Sequence, residues 1–372
     1  MLKIGITGQK GFMGRHLYNS LTLEPKLYKL IDFQKCFFEN DKKLDAFVSK
    51  CDVIVHLAAL NRHDNEQIIY DTNVQITKKL IASLERVDSP VHVILSSSTQ
   101  EVKDNMYGKS KKKVRELFLN WVDNSKGLFS GLIIPNVFGP FGKPNYNSFV
   151  ATFCHKITNG ENPEIIVDNI VDLIYVNDLV KEIISFIKKR ETNKKIMIKP
   201  TIQIKVSKIL SFLNVFKSIY QDKGDIPKLN SSFELNLFNT FRSYIDLKNH
   251  FPVKLTKHTD KRGSFIEIIR LGTGGQISFS TTKPGIIRGN HFHTRKIERF
   301  TVIKGKALIQ LRKIGSNKVL DFYLDGNDPA YVDMPIWYTH NIKNVGDEVL
   351  LTNFWINEPY DPESSDTFHE IV

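Results

Sequence analysis

Cysteine is scarce in this chain. The 372 residues hold three, Cys36, Cys51 and Cys154, odd in number and far apart. That excludes a disulfide framework and predicts reduced thiols in a cytoplasmic protein, serving as small apolar core residues. Also lacking is any uncharged apolar run of membrane-spanning length, so no membrane partner is expected. The opening MLKIGITGQKGFMG lacks a basic region followed by a long apolar stretch and reads instead as a buried strand entering a glycine turn. No internal repeat and no low-complexity linker interrupts the pattern. Acidic residues are the minority, 40 against 52 Lys and Arg, for a net charge of +12. The lysines are scattered, the one dense run is Lys109 to Lys113, and no nucleic-acid-binding motif accompanies them, so nucleic acid is not expected as a partner. The charge reads as a basic rim that draws in an anionic diphosphate.

What is present is ordinary globular material, 41% apolar and 25% charged, in a chain long enough for two cores. Residues 2 to about 190 alternate short apolar strands with amphipathic helices. Strands are expected at 2–7, 52–58, 91–97 and near 131–135, with a helix at 72–86. That alternation predicts a doubly wound parallel α/β sheet of Rossmann type. Residues 200 to 248 read as irregular and helical. After Pro252 the texture becomes all-β, with alternating segments at 264–271, 298–313 and 349–357. The expected domains are therefore 1–248 and 254–372, closely packed.

Two local patterns in the first domain carry chemistry. Gly8-x-x-Gly11-x-x-Gly14 follows the first strand and opens a helix, where glycines permit a tight turn and let backbone amides approach a pyrophosphate. Tyr107-x-x-x-Lys111 places a phenol and an amine on one helix face; the cation is expected to lower the tyrosine pKa and make Tyr107 a usable proton donor. Ser96-Ser97-Ser98 ends the preceding strand and could set a hydroxyl beside the phenol. Together with DVIVHLAA (52–59), PNVFGP (135–140) and YVND (175–178), these motifs resemble the extended short-chain dehydrogenase/reductase family, in its nucleotide-sugar branch, over about 1–245. The resemblance implies that Ser98, Tyr107 and Lys111 are catalytic, with Ser97 left open as the alternative to Ser98. It implies a nicotinamide cofactor held by Gly8, Lys10, Gly11, Phe12, Met13 and Gly14, by Leu57, Ala58 and Ala59, and by Tyr107 and Lys111. Asn136 would bind substrate or position the nicotinamide. Asp32, near the end of the second strand, favours a ribose hydroxyl and hence NADH, while Lys10 and Lys35 work against that. The resemblance implies NADPH, with NADH left open.

In the second domain, Gly285-x5-His291-x-His293-x4-Glu298-x6-Gly305 and then Pro335-x4-His340-x3-Asn344 offer three imidazoles and a carboxylate. Two histidines two apart on a strand face the same way. The donor set suits Zn²⁺, and Fe²⁺, Mn²⁺ or Ni²⁺ as well; the bland alternative is surface histidines without metal. The pattern resembles the cupin superfamily over about 254–372, with one departure, Trp337 where a glycine is usual. That resemblance implies a β-barrel with His291, His293, Glu298 and His340 as metal ligands. Asp260-Lys261-Arg262-Gly263-Ser264-Phe265 is similar to the DxRGxF of deoxysugar epimerase cupins, which implies that Arg262 contacts the nucleotide diphosphate.

The fusion in this order resembles the bifunctional enzymes of capsule synthesis, on stretches 143–154, 282–298 and 335–346. That resemblance implies C3 epimerisation of a UDP-2-acetamido-2,6-dideoxy-4-hexulose by the cupin, then C4 reduction to the L-talose sugar, on the route to UDP-N-acetyl-L-fucosamine. It also implies substrate contacts from Asn145 and Asn147. Lys283, if desolvated, is the candidate base for the cupin step, against its reading as a solvated surface residue. Two other readings stay open: a reductase of a UDP- or dTDP-4-keto-6-deoxy sugar with an inert cupin, and a non-enzymatic dinucleotide sensor. Both fold types commonly pair, so a homodimer is expected.

Overall fold

Successive apolar residues at Val53, Ile54 and Val55 are each fully buried, which requires cover on both faces of the sheet. The computed structural model, which describes residues 1–261 and 263–372 and only the backbone of 263–265, supplies that cover. Its first unit comprises Met1–Thr152 and Val167–Val206. In order come Leu2–Thr7 (β1), Phe12–Thr22 (α1), Tyr28–Ile31 (β2), Asp41–Val48 (α2), Val53–His56 (β3), Glu66–Val87 (α3), His92–Ser98 (β4), Met106–Val122 (α4) and Leu128–Ile134 (β5). Then follow Asn136–Phe138 (β6), Phe149–Thr158 (α5), whose residues from Phe153 on belong to the second unit, Ile170–Tyr175 (β7), Val176–Lys189 (α6), Asn193–Met197 (β8) and Ile202–Lys205 (β9).

The main sheet is parallel throughout in the order β2-β1-β3-β4-β5-β8. The period of two decides which core each strand residue enters. Val53 and Val55 join Leu17 and Leu21 of α1 and Leu179 and Ile183 of α6, whereas Ile54 joins Leu44 of α2, Leu80 and Leu84 of α3 and Phe118 of α4. The expected α/β class is what the structure has. Ligands of such sheets bind beyond the carboxyl ends of the strands, which here are Thr7, His56 and Ser98.

The second unit comprises Phe153–Ile166 and Ser207–Val372. After Val206–Phe216 (α7), Ser232–Arg242 (α8) and Leu247–His250 (α9) come Val253–Lys254 (β10), Lys257–Asp260 (β11), Gly263–Ile266 (β12), Gln276–Thr282 (β13), Ile287–Phe292 (β14) and Glu298–Lys304 (β15). The chain continues through Lys306–Lys313 (β16), Val319–Asp325 (β17), Ala330–Met334 (β18), Tyr338–Asn344 (β19), Leu350–Ile356 (β20) and Phe368–His369 (β21). Two five-stranded antiparallel sheets result, β10-β18-β15-β20-β13 and β17-β16-β19-β14-β21. Phe300, Val302, Ile309, Leu311, Phe322 and Ile342 fill one core drawn from both.

Three expectations need correction. The strand at 264–271 ends at Ile266. The segment 298–313 is two strands, because Gly305 turns the chain at φ +89. The division at 248–254 also fails: residues from Ser207 onward group with the β unit. Periodicity identified their apolar face but not its partner. Leu247 and Phe251 enter the β core, and Tyr220 Oη donates to Asp333 Oδ2 at 2.6 Å.

That last bond belongs to a buried ionic network. Arg299 grips Asp333 in bidentate fashion at 2.7 and 3.0 Å, donates to Gly224 O at 2.9 Å and lies 3.6 Å over the Tyr331 ring. Arg242 donates to the Tyr220 hydroxyl at 3.1 Å. Asp333 is 0% exposed, so its removal strands a guanidinium in the interior. Asp333→Ala should cost about 3–5 kcal/mol in urea unfolding followed by tryptophan fluorescence. The paired change Arg299→Met with Asp333→Leu should recover most of that loss; a single variant within about 1 kcal/mol of wild type would mean the network does not hold the unit.

Candidate functional site

In the first unit the glycine turn is sterically required. Gly8 has φ +79, and a Cβ there would lie 2.9 Å from Ala58 N; a Cβ on Gly14 would lie 2.3 Å from Gly8 O. Gly11 N donates to Gly8 O at 2.9 Å and closes the turn. The start of α1 carries no side-chain cap among the described residues, so its first amides remain for an anion.

Around this turn lies a cavity of about 520 Å³. It is lined by Gly8, Lys10, Gly11, Phe12, Met13 and Gly14, by Leu57, Ala58 and Ala59, and by Ser98, Tyr107, Lys111, Asn136 and Asn147. Two expected residues stand outside the lining. Asn145 sits in a separate turn at 144–147, at φ +54, its amide bonded to Thr152 and its carbonyl accepting from Arg62. Asp32 is exposed past the end of β2, its carboxylate accepting from Gln9 at 3.0 Å and Gln34 at 3.4 Å. Arg262 lies outside the described residues.

The serines separate by partner. Ser96 Oγ donates to His56 O at 3.3 Å, and Ser97 Oγ donates to Glu101, which is itself paired with Arg115 at 2.8 Å. Ser98 accepts from Gln100 N at 3.1 Å and hydrogen bonds to Tyr107. Of the two candidates it is Ser98 that adjoins the phenol. Lys111 is buried, donates from Nζ to Ser96 O at 2.9 Å and sits 5.6 Å from the centre of the Tyr107 ring. Burial pulls its pKa down to about 8, against the opposing charge of Glu101. The expected lowering of the Tyr107 pKa is not found. Burial pushes it up to about 12, the Ser98 hydrogen bond pulling down and Tyr146 pushing further up. The phenol is thus held neutral, as a proton donor must be. Tyr146 was missed, although it lies in the stretch 143–154; a tyrosine between two asparagines carries no motif of its own.

In the second unit the four predicted ligands converge. One donor atom from each of His291, His293, Glu298 and His340 lies within 4.8 Å of all the others. Register explains it: His291 on β14 pairs with His340 on β19, beyond an irregularity at Gly289, and Glu298 opens β15. His293 Nε2 and His340 Nε2 stand 3.2 and 3.1 Å from Glu298 Oε2. Their other nitrogens donate to carbonyls, His293 Nδ1 to Asp366 O at 2.7 Å and His340 Nδ1 to Tyr338 O at 3.1 Å. A carbonyl can only accept, so each neutral ring aims a lone pair from Nε2 at a carboxylate. Lone pairs converging on an anion require a positive charge among them, and the set fits a divalent cation. Without one, a proton does that work. Burial opposes ionisation of Glu298, yet hydrogen bonds from His293 and His340 hold its pKa well below the carboxylate range. Burial likewise disfavours charge on His293, but Glu298 raises its pKa. Burial, then His340, takes His291 down to about 4.

Trp337 occupies the glycine's conformation, at φ +60. Lys283 is exposed, in the turn closed by Ile286 N to Lys283 O, which accords with its reading as a solvated surface residue.

Comparison with known proteins follows both halves. Residues 4–198 match the model of the NAD dependent epimerase/dehydratase family, and 258–368 match that of the Polysaccharide biosynthesis C-terminal domain. The chain is 30% identical to a UDP-2-acetamido-2,6-beta-L-arabino-hexul-4-ose reductase of Pseudomonas aeruginosa, over 99% of this chain and 98% of that one. It is 34% identical to the solved capsular polysaccharide assembling protein CapF from Staphylococcus aureus, with TM-score 0.63, covering 99% of this chain and 100% of the other. A spore coat polysaccharide biosynthesis protein, SpsL of Bacillus subtilis, is 31% identical over 30% of this chain and 82% of its own length.

His56, at the end of β3, is buried, its Nδ1 bonded to Thr7 Oγ1 at 2.8 Å. Burial, with Lys111 nearby, lowers its pKa to about 3. The folded pKa lies below the unfolded one, so the unfolded chain gains the proton first, and stability falls as pH drops from about 6.5 towards 3. His56→Gln should flatten acid denaturation in that window by up to about 1.4 kcal/mol per pH unit. Equal slopes for variant and wild type would show that His56 already charges in the folded state.

Proposed function

The chain belongs to the NAD dependent epimerase/dehydratase family, in the CapF-like layout with a C-terminal polysaccharide-biosynthesis domain, and from that premise we propose a bifunctional nucleotide-sugar enzyme. Its substrate is a UDP-2-acetamido-2,6-dideoxy-4-hexulose. The β unit, read as a cupin barrel, inverts C3, and the Rossmann unit then reduces the C4 ketone to UDP-2-acetamido-2,6-dideoxy-L-talose, on the way to UDP-N-acetyl-L-fucosamine for a surface polysaccharide. The protein is cytoplasmic and acts as a homodimer. No helix among the described residues is long and apolar enough to cross a membrane.

The observation that carries this reading is the cavity in which the Tyr107 phenol, the Ser98 hydroxyl and the uncapped glycine start of α1 meet. NADPH, when bound, supplies hydride. Ser98 orients the substrate carbonyl by a hydrogen bond, and Tyr107 gives its proton to the C4 oxygen as negative charge develops there. The Lys111 cation stabilises the phenolate left behind, which is why a buried amine stands 5.6 Å from that ring. Lys10 lines the cavity and Asp32 does not, which supports NADPH over NADH.

For the first step, the C4 ketone acidifies the hydrogen on C3, so that proton removal and return on the opposite face invert the centre. His291, His293, Glu298 and His340 would hold a divalent cation, Zn²⁺ by preference, whose charge favours the oxyanion that develops. A second reading, a reductase whose β unit only binds the nucleotide sugar, is favoured by the exposure of Lys283.

Proton NMR in D₂O separates the two. Deuterium at C3 before cofactor, followed by a 4-hydroxy product on adding NADPH, is the expected result. Consumption of NADPH with no exchange would leave a reductase alone. Tyr107→Phe should lower kcat for reduction about 10²–10⁴-fold while NADPH binding and C3 exchange persist; an undiminished rate would remove Tyr107 from the chemistry.

A further inference from the structure

One buried acid near the ligand cluster belongs to no motif. The Asp366 side chain is 1% exposed, and its backbone is left-handed at φ +46. Its carboxylate accepts from three successive backbone amides, those of Thr294 at 3.1 Å, Arg295 at 3.0 Å and Lys296 at 3.1 Å, and from the Thr294 hydroxyl at 2.6 Å. Converging amides of this kind form an anion nest, here filled by the chain's own acid. The Arg295 guanidinium adds a looser pair at 3.8 Å. The carbonyl of the same residue accepts from His293 Nδ1 at 2.7 Å. One residue therefore grips the loop between His293 and Glu298 with its side chain, and the His293 ring with its main chain.

Neighbouring bonds keep the segment in place. Strand β21 pairs with β14 at His291 and Phe292, and Thr339, beside His340, donates to Glu370 O.

We infer that Asp366 is the positioning residue of the four-ligand cluster, its carboxylate locking residues 294–296 so that its carbonyl fixes the tautomer and direction of His293. This rests on reading His291, His293, Glu298 and His340 as a divalent-cation site. A carbonyl on Nδ1 obliges the neutral ring to keep its proton there and to present Nε2 to the cation. Emptying the nest leaves three amides without their shared acceptor, so the loop and the 366 carbonyl lose their common register.

The test compares Asp366→Asn and Asp366→Gly with wild type in the full chain, using Co²⁺ and Zn²⁺ as probes. Asparagine keeps the size and one accepting oxygen; glycine keeps the carbonyl and suits the positive φ. Both should weaken cation binding about 10–100-fold in chelator competition and alter the Co²⁺ d–d absorption, with near-UV circular dichroism of the metal-free protein unchanged. Folded variants that bind as tightly as wild type, with its spectrum, overturn the positioning role. A wild type that takes up neither ion overturns the cation-site reading beneath it. If the Asp366 variants do not fold, Thr294→Val, which removes only the hydroxyl donor, decides the matter: lowered affinity supports the role, and wild-type affinity refutes it.

Discussion

Strand β15 buries opposite charges on successive residues, Glu298 and Arg299, and the pleat sends them to opposite faces. An unmatched charge in either place would be costly, so each face must supply a partner. On one face three imidazoles converge on Glu298; on the other, Asp333 and the Tyr331 ring receive Arg299. The pairing of Arg299 with Asp333 on β18 is direct in register. A slip of one residue would exchange the faces and strand both charges. The register of this sheet is thus set by electrostatics as much as by its apolar residues, and the helices that close the outer face, through Tyr220 and Arg242, are held to the same requirement.

The parallel unit meets the problem of a buried charge differently. Among the described residues no carboxylate is paired with Lys111; its amine is bonded to a main-chain carbonyl, and burial draws its pKa towards neutrality. Such a cation is poorly satisfied by the protein and is available to a developing anion nearby. The phenol beside it is pushed the other way by the same burial. The proton donation proposed for Tyr107 would relieve both residues, since phenolate and ammonium would then stabilise each other.

What could be read from the chain alone follows the reach of each constraint. Gly8, Gly11 and Gly14 were legible because the turn is local and its sterics depend on spacing. The clustering of His291, His293 and Glu298 was legible for the same reason, and that of His340 through its own short motif. Asp366 was not: its partners Thr294, Arg295 and Lys296 are some seventy positions away, and an acid near a chain's end carries no sign that three amides will converge on it. Residues 200–248 were read as irregular and helical, which beyond the strand Ile202–Lys205 they largely are, but an amphipathic face does not name what covers it. The direction of the Tyr107 pKa was misjudged because desolvation is a property of the fold and not of the residue.

Backbone strain is concentrated around the cluster as well. Asn290, Trp337 and Asp366 all have positive φ without being glycine. Asparagine and aspartate tolerate that conformation, but a tryptophan does not, and such a residue costs on the order of 1–3 kcal/mol. Trp337 is kept in that conformation because its ring, 3% exposed, stacks on Phe292 and its backbone amide donates to His293 O at 2.8 Å. Asn290 immediately precedes His291, and Asp366 holds the His293 ring. His293 is consequently fixed at both ends, main chain and imidazole, by residues in left-handed conformation. Strain persists only where packing and hydrogen bonds overdetermine the geometry. A cluster built this way cannot readily shift its donor atoms, so on the proposed reading as a cation site, selection among Zn²⁺, Fe²⁺, Mn²⁺ and Ni²⁺ would fall to which ion accepts the geometry already set.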